Sequence, residues 1–218
     1  MDSIDALILD IDGTIWNTTG IVAVAWNKAI DISGLKAKKV NAQILQGEFG
    51  KPMDVIAADL WPELSKEDQD KLLSYCCTEE QIAISQSTID ITYPGAVEAI
   101  KELSTIQNLY IVSNCQNGYI ELTMEKTGIT QYIKDFECFG RTGKAKAENI
   151  QILCARNGIR SPVYLGDTQG DSDACRQAGI PFIWASWGFG QPTGYIEKAE
   201  SYPELVAIIR KLSSLKEV

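Results

Sequence analysis

The sequence predicts an α/β protein: an open parallel sheet with helices on both faces, broken after its first strand by an all-helical insertion. Three observations lead there. From about residue 93 onward, short apolar runs alternate with helical spacing, the pattern of strands buried on both faces. A matching apolar run, Ile4-Asp5-Ala6-Leu7-Ile8-Leu9-Asp10-Ile11, stands alone near the start. Between the two, residues 19–88 carry helical spacing and no convincing strand.

The elements follow in order. Residues 4–11 read as a buried strand that breaks at Asp12-Gly13-Thr14. Val22, Ala25, Trp26, Ala29 and Ile30 repeat at helical spacing, followed by Val40, Ile44 and Leu45. Residues 53–60 and 66–84 continue as helices, the second opened by Ser65 with Asp68 three positions on. A loop, Gln46 to Pro52, punctuates this block. Helices are expected at 95–105, 118–127, 146–156, 171–178 and 202–212. Strands are expected at 109–113, 135–139, 163–165 and 181–185, five with the first. Crossovers should be right-handed. The division expected is a core of 1–17 and 89–218, with 18–88 inserted.

Composition narrows the chemistry. The 218 residues include 20 Lys and Arg against 29 Asp and Glu, a formal charge of −9, which disfavours a nucleic-acid polymer as partner. There is no histidine, so Ser-His-Asp, Cys-His and His-based zinc sites are excluded. Six cysteines form no CxxC pair, and no apolar stretch approaches the roughly 18 residues of a membrane span. A reduced, cytoplasmic, membrane-free protein is expected. Catalysis falls to Asp, Glu, Lys, Ser, Thr or a hard metal ion.

Ligands of open parallel sheets sit beyond the carboxyl ends of the strands. There the sequence places Asp10-Ile11-Asp12-Gly13-Thr14, Ser113-Asn114, and Gly166-Asp167-Thr168-Gln169-Gly170-Asp171. Four carboxylates on one edge repel unless a cation offsets them. An oxygen-only set suits Mg²⁺ together with a substrate phosphate. Asp10 and Asp12 permit a division of labour, one carboxylate attacking phosphorus and the other carrying a proton to and from oxygen. Gly13 and Thr14 would contribute flexible backbone, a hydroxyl and free N–H groups for phosphate oxygens.

These motifs resemble those of the haloacid dehalogenase-like hydrolases, closest in pattern to the phosphoglycolate phosphatase-like branch with an α-helical cap. The resemblance runs over essentially the whole chain and implies a Rossmann-like core with residues 18–88 as the cap domain. It implies Asp10 as nucleophile and Asp12 as general acid/base, whose backbone carbonyl also ligates Mg²⁺. It implies Ser113 and Asn114 at the phosphoryl group, Asp167 as a direct metal ligand, and Asp171 supporting the metal directly or through water. A charge-neutralising lysine usually stands in a Lys-Pro-x-Pro run; Lys144-Ala145-Lys146-Ala147 aligns Lys144, preferred here over Lys146. Tyr93-Pro94-Gly95-Ala96 and Trp187-Gly188-Phe189-Gly190 resemble further family runs, the latter with Phe for Tyr.

The function implied is Mg²⁺-dependent hydrolysis of a small phosphorylated metabolite through an aspartyl-phosphate on Asp10. Phosphoglycolate, sugar phosphates and nucleoside monophosphates all fit. A phosphomutase shares both aspartates and the cap, with Lys36, Lys38 and Lys39 as available basic residues. A noncatalytic regulatory or binding protein of the same fold is the reading of another class. Dehalogenases and phosphonatases lack the second acidic residue, here Asp12. Linkers near 15–19 and 86–93 are expected hinges. The loop from Gly47 to Lys51 is the candidate for substrate selection, Lys51 meeting a carboxylate or second phosphate. Trp16 reads equally as a substrate-entrance or a packing residue. Oligomeric state, monomer or homodimer, is left open.

Overall fold

The computed structural model describes residues 3–214. Six strands form one sheet: β1 (Ala6–Leu9), β2 (Asn108–Ser113), β3 (Ile133–Cys138), β4 (Pro162–Gly166), β5 (Phe182–Ala185) and β6 (Glu197–Ala199). Their spatial order is β3-β2-β1-β4-β5-β6, and every pairing is parallel. β6 was not expected; three residues at a sheet edge are too short to carry a readable apolar pattern.

Helices connect the strands. α1 (Thr19–Ser33), α2 (Ala42–Glu48), α3 (Met53–Leu60) and α4 (Lys66–Gln86) follow β1. α5 (Ala96–Leu103) precedes β2, and α6 (Tyr119–Thr127) follows it. α7 (Phe139–Thr142) and α8 (Lys146–Asn157) lie between β3 and β4, α9 (Gln169–Ala178) precedes β5, and α10 (Tyr202–Ser213) follows β6. The inserted region is thus all-helical. No helix among the described residues is long and apolar enough to cross a membrane.

Alternation along β1 explains the layers. Ala6 and Ile8 pack on one face with Ile150 and Leu153 of α8 and Cys175 of α9. Leu7 and Leu9 face the opposite way, against a cluster that includes Ile100 and Leu103 of α5 and Leu205 and Ile209 of α10. Both faces being covered, the central strands are apolar throughout.

The two chain segments joining core and cap run side by side. Asn17 N–H donates to Ile91 O at 2.8 Å, and Tyr93 N–H donates to Ile15 O at 3.0 Å. The cap itself is built around Trp26 and Trp61, whose ring centroids lie 6.0 Å apart. Ser65 caps α4, its hydroxyl accepting from Asp68 N–H.

Candidate active site

The sheet order reverses around β1, so β1, β2 and β4 deliver their carboxyl ends to one crevice. Asp10 directly follows β1, and its backbone N–H donates to Leu165 O of β4 at 2.9 Å, which ties it to the neighbouring strand. Asp10 is 1% exposed, and Asp167 and Asp171 are fully buried. One oxygen from each of Asp10, Asp167 and Asp171 lies within 4.8 Å of the others.

The lysine among them is Lys146. Its Nζ donates to Asp10 Oδ1 at 3.0 Å and to Asp171 Oδ1 at 2.5 Å, and the residue is 4% exposed. Lys144, the residue expected here, is exposed instead. The reason is local. Gly143 closes α7 at φ +67°, and Asn149 ties the following loop by bonding Thr142 Oγ1 and Lys144 O. Lys144 thereby faces solvent, while Lys146 opens α8 and turns inward.

Asp171 has four further tasks besides cluster membership. Its Oδ2 accepts from Asp167 N, Thr168 N and Thr168 Oγ1, and its own N–H donates to Thr168 Oγ1. This capping box fixes the Gly166–Asp171 turn and starts α9 two residues before the expected position. Asp167 Oδ2 accepts from Phe189 N–H at 2.6 Å, but its Oδ1 is buried without a partner.

Glycines make this convergence possible. A Cβ on Gly13 would stand 2.2 Å from Asp167 Oδ2, and one on Gly188 would stand 2.3 Å from Asp167 Cβ. Gly13 also has φ +78°. Its role differs from the expected one: Gly13 N–H donates to Trp16 O, and Thr14 N–H donates to Ile11 O. These donors close the turn on itself and are not open to a phosphate. Thr14 O is held by Trp187 Nε1 and Tyr202 Oη, while its buried Oγ1 has no partner.

Asp12 lies beside Asp10 and is held by one oxygen only. Oδ1 accepts from Tyr119 Oη at 2.8 Å, Thr18 Oγ1 at 3.0 Å and Trp16 Nε1 at 3.1 Å. Burial pushes its carboxyl up to about 7, opposed by the Tyr119 hydrogen bond. Asp10 rises to about 6, burial outweighing the attraction of Lys146. Burial opposes the charge on Lys146, but Asp10 and Asp171 hold its ammonium above the usual lysine range. Trp16 is fully buried, a donor to Asp12 and not a residue of the entrance. Tyr119 and Thr18 escaped the sequence reading, since nothing local marks one tyrosine or threonine among many as an aspartate's partner.

Ser113 ends β2, 5% exposed, and lines a cavity of about 30 Å³ together with Asp10, Asp12 and Asn114. Asn114 Nδ2 donates to Gly50 O at 2.8 Å, so the cap loop reaches the site, and its buried Oδ1 has no partner. Phe49 also packs edge-on against Phe189. Lys51, expected to meet a substrate anion, is already paired with Glu48 at 2.7 Å and Asp59 at 2.8 Å.

Three buried carboxylates face one ammonium, and Asp167 Oδ1 is a buried acceptor with no donor. An all-oxygen set with surplus negative charge and an open ligand atom fits a hard divalent cation such as Mg²⁺.

A family model described as haloacid dehalogenase-like hydrolase matches residues 7–185. Among solved structures, a haloacid dehalogenase-like hydrolase family protein from Streptococcus pneumoniae is 20% identical with a TM-score of 0.82, covering 95% of this chain and 99% of that one. A predicted phosphoglycolate phosphatase from Haemophilus somnus is 17% identical with a TM-score of 0.81, covering 95% and 99%. A predicted phosphatase from Clostridium acetobutylicum is 15% identical with a TM-score of 0.80, covering 96% and 100%. At these identities the likeness shows the fold. No curated protein matches the chain.

Proposed function

Since the chain belongs to the haloacid dehalogenase-like hydrolases, we propose that it is a Mg²⁺-dependent phosphatase acting on a small phosphomonoester through an aspartyl-phosphate on Asp10. The observation that carries this reading is the buried Asp10 carboxylate between Lys146 and the Asp167–Asp171 turn, with Asp12 beside it. Asp10 and Asp167 would hold the cation, with the Asp12 backbone carbonyl as the resemblance implies; Asp171 would support it through the turn it caps. Mg²⁺, when bound, supplies positive charge that offsets the carboxylates and the phosphoryl oxygens.

A carboxylate oxygen of Asp10 attacks phosphorus while the bond to the alcohol oxygen breaks, and Asp12 gives that oxygen its proton. Asp12, now ionised, takes a proton from water. The resulting hydroxide attacks phosphorus, releasing inorganic phosphate and restoring the Asp10 carboxylate. The raised pKa of Asp12, about 7, suits a group that must both give and take a proton near neutrality. Lys146 neutralises charge on Asp10 and the transferring group, a fixed electrostatic contribution. Ser113 and Asn114 would contact the phosphoryl oxygens.

The 30 Å³ cavity is far smaller than a phosphomonoester. Substrate entry would be served by the cap swinging on the paired 15–17 and 91–93 segments, and reclosure would exclude bulk water. Lys36, Lys38 and Lys39 are exposed and do not line the cavity, so they lend the mutase alternative no support. The deciding experiment is phosphate release from a panel of monoesters with Mg²⁺, in wild type and Asp10→Asn. Steady release without a bisphosphate, lost in the variant, supports the hydrolase; normal turnover in Asp10→Asn would remove Asp10 from its role.

A further inference from the structure

The wall that faces Asp10 and Asp12 across the cavity belongs to the cap: Trp26 of α1, Met53 and Ile56 of α3, Lys51, and Glu80 of α4. Apart from the two aspartates, the charged lining residues among those described are Lys51 and Glu80. Two of the three Lys51 ammonium donors go to Glu48 and Asp59, whose carboxylates offset its charge.

Glu80 is unlike the rest of the site's acids. It is 3% exposed and lies on a cap helix, away from the Asp10–Asp167–Asp171 cluster. Trp26 Nε1 donates to Oε2 at 2.7 Å, and Gln116 Nε2, from the core, donates to Oε1 at 2.9 Å. Each carboxylate oxygen can accept about two hydrogen bonds, so both retain capacity. Cap and core together therefore present a fixed, buried acceptor to whatever is attached to the phosphate. Burial pushes its carboxyl up to about 7, against the pull of Gln116 and Trp26.

We propose that Glu80 sets substrate class at this site: the alcohol half of the phosphomonoester carries a hydroxyl or ammonium donor for Glu80 and no second anionic group. The proposal rests on the phosphatase reading above. A second carboxylate or phosphate would enter a wall holding a buried acid and a lysine already offset by two carboxylates, at the cost of a like-charge pair. A hydroxyl or ammonium would instead replace the water that Glu80 loses when the cap closes.

The test compares kcat/KM for glycerol 1-phosphate, ethanolamine phosphate, propyl phosphate and phosphoglycolate with Mg²⁺. Wild type should favour the first two over propyl phosphate, and should favour each of them over phosphoglycolate by tenfold or more. Ethanolamine phosphate ahead of glycerol 1-phosphate would identify an ammonium as the preferred donor; the reverse would identify a hydroxyl. In Glu80→Gln the disadvantage of phosphoglycolate should shrink at least tenfold. That variant keeps its contacts if the Gln116 amide turns over, and the wild-type ranking decides the matter even if it fails to fold. Phosphoglycolate turned over as well as glycerol 1-phosphate, or a folded Glu80→Gln with unchanged ranking, overturns the proposal. Calorimetric binding of the same four esters to Asp10→Asn protein with Mg²⁺ reads the ranking without turnover. Absent phosphate release would thus strike the hydrolase reading, while the binding order alone decides the role of Glu80.

Discussion

Lys146 Nζ stands 3.0 Å from Asp10 Oδ1 although 136 positions separate the two residues. The ammonium bridges to Asp171 as well, so it links the first strand's carboxylate to the turn after β4. Without it, three buried carboxylates would share one space with no positive side chain among them.

Replacing this lysine separates it from its neighbour. Lys146→Ala should lower kcat by roughly a hundredfold to a thousandfold, the scale of a lost charge-stabilising group. Lys144→Ala should stay within about twofold, as expected for an exposed side chain away from such features. Steady-state phosphate release, with circular dichroism to verify folding, checks both. The opposite order would restore Lys144 to the site.

Gly13→Ala should be destabilising and inactive. Its added Cβ would stand 2.2 Å from Asp167 Oδ2, on a backbone at φ +78°. A loss of about 1–3 kcal/mol is expected from strain of this kind. Urea denaturation measures it; an unaltered midpoint would mean that the Asp10 and Asp167 loops are not in close contact.

Asp12→Asn removes the proton donor while leaving its Oδ1 contacts to Trp16, Thr18 and Tyr119 possible. Alkyl phosphates should suffer most, by roughly a hundredfold or more, whereas an ester with an acidic phenol as leaving group should be partly spared. Tyr119→Phe deletes one of three donors and should cost only several-fold on alkyl esters. A uniform loss across leaving groups would count against Asp12 as the acid.

Mg²⁺ should raise the thermal midpoint of the wild-type protein, because a cation that binds only the folded state stabilises it by mass action. Chelation should abolish phosphate release, and added Mg²⁺ should restore it. Asp167→Asn withdraws a charge from the open ligand atom, so its midpoint should respond little to Mg²⁺. An equal rise in both proteins would place the cation elsewhere.

Glu80 makes stability depend on pH in a predictable direction. Its ordinary value of 4.5 rises to about 7 through burial, so the folded chain holds this proton more tightly than the unfolded chain does. The contribution is fully present below about 4.5, declines as pH climbs toward 7, and is gone above it. The change amounts to about 3 kcal/mol. Glu80→Gln lacks this loss, so its stability relative to wild type should grow by up to that amount between pH 5 and pH 8. Paired urea titrations at the two pH values measure the difference; a constant offset would mean that Glu80 titrates as if in water.

Much of this protein was readable along the chain because the relevant patterns are local. Short, mostly apolar runs marked β1, β2, β4 and β5, alternation with helices placed β3, and spacing of three to four marked the inserted helices. The carboxylates at the strand ends followed from the rule that parallel strands deliver their carboxyl ends to one edge. Even Glu80 left a trace: with Cys76 and Ile84 four positions to either side, it falls on the buried stripe of α4, where an acid is out of place.

Other features depended on residues distant in sequence. Lys144 and Lys146 flank one alanine and differ little as sequence; the tied loop after Gly143 and the onset of α8 decide which of them meets Asp10. Tyr119 reaches Asp12 across 107 positions, and Gly50 reaches Asn114 across 64. Sequence by itself determined five of the six strands, the acidic edge and the helical insertion, since each is set by short-range patterns. Which side chains share the buried space at that edge was decided by tertiary packing, because direction and distance there are set by loops whose ends are fixed by other strands.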